Sequence, residues 1–260
     1  MPNPRLDAAY AAQNKAIRLR VKQFTTARFA ARQYRDADLA KFVKEVVPVV
    51  LAGRRQVSSL TDAYLAQVLA SSGIKLPPRP LVDTAALRGI DATEVYARPF
   101  VTVRTKLSDG LTYEAAVNAG MARLTDIVLT DMQLAKTHSA RNVFESSDRV
   151  KAFERTLTGS INCALCYVAS TQRYHRGDLM PIHPGCDCGV SPILDTGEQV
   201  INPERLQASH EAVEDRLGAS DSGARTPDYR KQIIVQEHGE IGPVLTVKGQ
   251  HFQGASVMDN

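Results

Sequence analysis

The residues with the clearest chemistry are four cysteines and one histidine. Cys163-x2-Cys166 is followed by His183-Pro-Gly-Cys186-Asp-Cys188, and no other cysteine occurs in the 260 residues. Thiolates and imidazoles are the ligands zinc prefers. A structural zinc ion takes four of them in a tetrahedron, with sulfur at about 2.3 Å and imidazole nitrogen at about 2.0–2.1 Å. A C-x2-C pair suits one edge of that tetrahedron, because two intervening residues let the chain turn back on itself. The 16 residues between Cys166 and His183 leave room for a helix and a return strand. Five candidates therefore compete for four places. Cys163, Cys166 and Cys186 come first, and His183 and Cys188 are equal claimants to the last. His175 is a weaker sixth, placed by pattern at a helix end.

Other chemistries fit the pattern less well. Reduced thiols that only pack are the plain alternative. A disulfide suits an oxidising compartment, and the N-terminal segment has no apolar core of the signal-peptide kind, so the expected setting is a reducing cytoplasm. A zinc deaminase needs H-x-E before P-C-x-x-C. Here His238-Gly239-Glu240 follows the cysteines, and Asn162 precedes Cys163. A cysteine tied to zinc is not free to act as a nucleophile. There is no G-x-S-x-G elbow, and the adjacent His138-Ser139 do not make a triad. An HNH-type nuclease would need paired histidines and an open metal position.

The elements that must position these residues follow from pattern. Residues 5–35 are rich in Ala, Arg, Gln and Lys, which predicts a long first helix. Residues 37–53 keep an apolar stripe, with Pro48 expected to bend or break it and Gly53 to stop it. Residues 57–71 read as a separate helix. Three prolines within 74–83 demand an extended connector. Short helical turns are expected at 84–87 and 92–96, while 98–108 is ambiguous between strand and helix. Residues 111–138 give the clearest helix, begun by Thr112. After 147 the texture changes. Residues 150–157 alternate like a strand, 164–175 read as a short helix, and 179–183 and 189–194 read as short strands. A capped helix is expected over 203–217, then a linker, then a hairpin turning at 239–243.

The fold class expected is α+β. A mainly helical domain (1–146) is followed by a small zinc-stabilised α+β module (147–217), then a linker and β-hairpin tail (218–260). No apolar run approaches the length of a transmembrane helix. Tryptophan is absent and aromatics are 6% of the chain, so the core is expected to rest on Leu, Val, Ile and Ala.

Net charge is +4, but it is unevenly spread. Residues 1–35 contain Arg5, Lys15, Arg18, Arg20, Lys22, Arg28, Arg32 and Arg35 against the single acid Asp7. Such an arm suits nucleic acid or an acidic protein surface, with Arg18, Arg20, Lys22, Arg28, Arg32 and Arg35 as contact candidates. The plainer reading is a solvated helix face. Tyr10, Phe24, Phe29 and Tyr34 are spaced like a packing stripe, which argues against a base-stacking platform.

The run 157–193 resembles the Mu F-like head morphogenesis proteins of tailed bacteriophages, in particular the minor capsid proteins of actinobacterial phages. The resemblance rests on C-x2-C, then Tyr174 and the Gly177-Asp178 step, then the His183-Pro184-x-Cys186-x-Cys188 close. The tail phrase from His238 to Gly249 is similar to the ends of actinophage members. The resemblance implies a low-copy structural protein of the virion, in the head interior near the portal, made in the bacterial cytoplasm. It implies Zn2+ on Cys163, Cys166, His183, Cys186 and Cys188. The implied partners are the portal protein, the major capsid or scaffold protein and packaged DNA, with no membrane. Related phage genes are often labelled capsid maturation protease, and that is the alternative function. No serine–histidine–acid spacing supports it.

Overall fold

The structure is a computed structural model. It describes residues 3–157, 164–180, 188–195, 197–208 and 211, and the strand backbone of 233–238 and 242–247. Four long helices come first: α1 (Pro4–Ala30), α2 (Asp36–Ser71), α3 (Ala92–Ser108) and α4 (Tyr113–Glu145). Helix α4 packs against the other three.

Local chemistry explains where each helix begins. The Asn3 side chain accepts from the Leu6 N–H, and Pro4 sits where its missing N–H is not needed. The buried stripe of α1 is Tyr10, Asn14, Val21, Thr25 and Phe29. The helix ends at Ala30, short of the expected 35, and the turn that follows carries Tyr34 at a left-handed φ of 62°. That turn is held at its ring and its backbone: the Tyr34 hydroxyl donates to the Phe29 carbonyl, and Arg104 donates to the Tyr34 carbonyl, all at 3.3 Å. Asp91 and Thr112 cap α3 and α4 through their side chains.

Three sequence expectations change. The two helices expected over 37–53 and 57–71 are one continuous helix, α2. Pro48 is exposed, so the backbone group it leaves unpaired faces water. Gly53 does not stop the helix; it lets α1 and α4 approach. A Cβ there would lie 2.6 Å from Val21 Cγ2 on α1 and 3.4 Å from Met132 Sδ on α4. The ambiguous 98–108 is helical, because Tyr96, Phe100 and Val103 fall on one buried face. The core also has an aromatic centre despite the low aromatic content. Phe29, Tyr34, Phe42 and Phe100 meet with ring centroids 5.0–5.7 Å apart, mostly tilted or edge-on.

A similar close approach joins α3 and α4. A Cβ on Gly120 would lie 2.5 Å from Val103 Cγ2 and 2.8 Å from the Pro99 carbonyl oxygen. A side chain can rotate away, but a helix backbone cannot. Gly120→Ala is therefore expected to cost more than Gly53→Ala, at the upper end of the roughly 1–3 kcal/mol typical of overpacking. Gly53→Ala gains back up to about 1 kcal/mol of helix propensity. Urea denaturation of both variants, with Val21→Ala added to Gly53→Ala as a rescue, measures this. Equal stability losses at the two sites would contradict it.

After α4 the chain forms a three-stranded antiparallel sheet in the order β2-β1-β3: β1 (Ala152–Thr156), β2 (Arg173–His175) and β3 (Gly189–Ile193). A six-residue helix α5 (Ala164–Ala169) precedes β2. The helix expected over 164–175 is thus shorter, and its last residues are strand. Of the strand expected over 179–183, residues 181–183 lie outside the described residues. Residues 203–208 are helical; the rest of the helix expected to 217 is described only at residue 211. The tail is an antiparallel hairpin of β4 (Ile233–His238) and β5 (Gly242–Val247), with Ile233 opposite Val247.

The sheet lies on the C-terminal ends of α2 and α4. Leu65, Leu69, Ile74, Ala140, Val143, Phe144, Val150, Phe153 and Leu179 form one buried cluster. Phe153 of β1 stacks between Phe144 of α4 and Tyr174 of β2, at 6.2 and 5.4 Å. This cluster therefore spans position 147 and joins the ends of α2 and α4 to the sheet.

Candidate metal centre

Of the five candidate ligands, Cys166 and Cys188 are described; Cys163, His183 and Cys186 lie outside the described residues. The two that are described meet. Cys166 sits on α5 and Cys188 immediately precedes β3. Both are buried in one cluster with Ala169. The surrounding apolar side chains are Leu157, Leu165 and Tyr174. Folding thus brings together thiols from the two separate arms of the motif. Among the described residues no group of three His, Cys, Asp or Glu side chains is placed to hold a metal.

The elements that position the pair are short. Helix α5 ends in a turn where the Ser170 and Thr171 hydroxyls donate to the Tyr167 and Val168 carbonyls. Arg205 then bridges this turn, donating to Ser170 Oγ at 2.8 Å and lying over the Tyr167 ring at 5.5 Å. Strand β3 fixes Cys188 through its register, with Gly189 opposite Thr156 and Val190 opposite Arg155.

Arg155 lies beside this pair and was not part of the motif reading. It lies on β1 two positions after Phe153, so both point to the same face of the sheet. Its side chain is almost fully buried, with the whole residue 3% exposed. One guanidinium nitrogen donates to Cys188 Sγ at 3.7 Å and another to the Met180 carbonyl at 2.6 Å. The cation also lies 5.6 Å from the Phe153 ring centroid and 5.9 Å from that of Tyr174. Burial pushes the Tyr174 hydroxyl up to about 12, against the opposing pull of Arg155. A signal existed in the sequence: an arginine at an inward position of an alternating strand needs a buried partner.

Two thiols from the motif's opposite arms thus share one buried cluster, one of them with a guanidinium against its sulfur. His175 does not join them. It is exposed, and its Nδ1 accepts from the Gly177 N–H at 3.2 Å, capping a short 3-10 turn at Arg176–Asp178.

The basic arm is helix α1 together with the turn that leads into α2. Arg28 and Arg32 both reach Glu45 on α2, at 3.6 and 2.7 Å. Arg18 and Lys22 are half-buried, and Arg20 and Arg35 are exposed. Part of the arm's charge therefore serves helix packing. His138 and Ser139 sit on α4; Ser139 Oγ donates to the Ser58 carbonyl at 2.9 Å. Burial and nearby Arg141 hold the His138 imidazole below its usual range.

A second polar centre lies deep in the helical layer and has no counterpart in the motif reading. Asp131 of α4 is 0% exposed. It accepts from Arg54 Nε at 3.0 Å, Arg88 Nε at 2.6 Å and the Tyr96 hydroxyl at 2.8 Å. Arg54 also donates to the Thr84 carbonyl, and Arg88 to the Ile127 carbonyl. These bonds tie the connector after α2 to α4. A cleft of about 620 Å³ opens between the first turns of α1, the end of α2 and the sheet, and is lined in part by Asp7, Tyr64 and Glu154. Tyr64 donates to Asp7 there at 2.8 Å and stacks on Tyr10.

No family model, curated protein or solved structure matches this chain. No helix among the described residues is long and apolar enough to cross a membrane.

Proposed function

We propose that this chain is a minor capsid, or head morphogenesis, protein of a tailed bacteriophage. It is structural rather than catalytic: α1–α4 form a docking platform, and the module after 147 is a small rigid end-piece held by Zn2+. The observation that supports this most is the meeting of Cys166 and Cys188 in one buried cluster, because that motif also carries the Mu F-like resemblance. A loop-rich module of this size buries little apolar surface of its own, and a metal supplies the missing stability. Its ligands come from Cys163, Cys166, His183, Cys186 and Cys188.

On this reading the partners are the portal protein and the major capsid or scaffold protein, inside the phage head. Exposed arginines such as Arg20 on α1 and Arg35 at the N-cap of α2 meet acidic protein surface or packaged DNA. Any DNA contact of this kind weakens steeply with salt.

Co-expression with the portal protein of the same phage tests the function. The expected result is co-purification at physiological salt with one or more bound zinc ions per chain. A chain that carries zinc but is not retained by the portal or by procapsids would sink the assembly role. Cleavage of capsid or scaffold protein in the same cells would favour the protease alternative instead.

A further inference from the structure

The cleft of about 620 Å³ between α1, α2 and the sheet belongs neither to the paired thiols nor to the Asp131 cluster. Its size falls within the roughly 300–1,000 Å³ typical of ligand sites. Carboxylates stand on two of its walls: Asp7 in the first turn of α1 and Glu154 on β1. Tyr10 and Tyr64 line it as a stacked pair, with ring centroids 3.9 Å apart and planes within 6°. Leu6, Val68 and Val190 add apolar wall.

Both carboxylates are held in place. The Tyr64 hydroxyl donates to Asp7 Oδ1 at 2.8 Å. Glu154 is fixed by strand register, opposite Ser191 on β3 and Arg173 on β2. Burial holds the Glu154 carboxyl above its usual range, with Arg205 pulling the other way. Arg205 is itself engaged by Ser170 Oγ and the Tyr167 ring. A carboxylate that has lost hydration gains more than a solvated one from a cation brought beside it.

We propose that this cleft is a docking site for an arginine side chain presented by a partner protein. Charge complementarity selects the occupant, because acids from two separate elements line one cavity. The carboxylates accept the N–H bonds of a guanidinium, the tyrosine pair takes its flat cation, and the aliphatic wall covers its methylenes. A lysine ammonium supplies charge but no flat face. An apolar side chain would bury the carboxylates without repaying their hydration. The site uses no residue of the cysteine motif, so it stands or falls apart from the zinc reading.

Titration of the isotope-labelled full chain with the blocked pentapeptide Gly-Gly-Arg-Gly-Gly, followed by amide NMR, tests this. Shifts are expected at Ala8, Ala11, Val68 and Ser191. The lysine version of the peptide is expected to bind more weakly, and the glutamate and leucine versions to leave these amides unmoved. Asp7→Asn and Glu154→Gln are each expected to weaken binding of the arginine peptide about tenfold, the effect of losing one charge-assisted hydrogen bond. Glu94→Gln, at an exposed acid on α3, is expected to bind as wild type does. Dispersed amide spectra verify that each variant is folded. The inference is overturned if the arginine peptide moves none of these amides, or if the leucine or glutamate peptide moves them as strongly. It is overturned equally if folded Asp7→Asn or Glu154→Gln keeps the wild-type affinity.

Discussion

Asp131→Asn is expected to destabilise the protein by about 3–5 kcal/mol. The carboxylate is fully buried and accepts from two arginines and a tyrosine. Asparagine keeps the shape but removes the negative charge that both guanidinium groups face. It also turns one acceptor into a donor aimed at donors. Tyr96→Phe removes a single neutral donor from the same carboxylate and should cost about 1 kcal/mol. The contrast in size is the test, read by urea denaturation at neutral pH with an unchanged m-value. A second arm uses the physics of buried ion pairs. Replacing Arg54, Arg88 and Asp131 together by Met, Met and Leu removes these three charges at once, and should recover much of the loss. An Asp131→Asn variant within 1 kcal/mol of wild type would show that the cluster carries no net weight.

The sequence held a trace of this cluster that amphipathic reading passes over. On α4, Leu124, Ile127, Val128 and Leu134 form an apolar stripe, and Asp131 sits four residues after Ile127 and three before Leu134. A carboxylate on an apolar stripe requires a buried cation. Nothing local says that the cations are Arg54 and Arg88, which lie 77 and 43 residues away. Gly53 failed for the same reason. As a lone glycine it reads as a stop signal; its meaning depends on Val21 and Met132, from helices it meets only in the fold. The cost of Pro48 depends on its exposure, which spacing alone does not show.

Features governed by neighbouring residues were legible. The Thr112 cap, the end of the helical region near 147, strand β1 and the pairing of the tail hairpin all depend on residues a few positions apart. The metal motif is intermediate. Its spacing pointed to thiols that converge, and Cys166 and Cys188 do share a buried cluster. Arg155 was not legible as part of that site, because its link to Cys188 runs across a strand pairing 33 residues apart in sequence.

Metal removal is expected to have the largest effect on the module after 147. Zinc present at about 1,000 times its Kd adds about 4.1 kcal/mol to the stability of whatever unit binds it. A strong chelator should therefore cost the module stability on that order, and Cys166→Ser should reproduce the loss and make the chelator without further effect. The consequence spreads in a predictable direction. Phe153 packs on Phe144, and Leu65, Leu69 and Val143 share its cluster, so the sheet covers the ends of α2 and α4. Loss of the sheet exposes those ends to water, while Phe42, Phe100 and Leu124 belong to a separate cluster around α1–α4. Amide exchange should then accelerate in β1 and β2 and at Leu69 and Val143, but not at Phe100 or Leu124. Trypsin should cut at Arg173 and Arg176 in the chelated protein before it cuts at the buried Arg54 or Arg88. Identical melting and exchange with and without chelator would remove zinc from the account of how this module is held. Uniform acceleration across all four helices would show instead that the two clusters unfold as one cooperative unit.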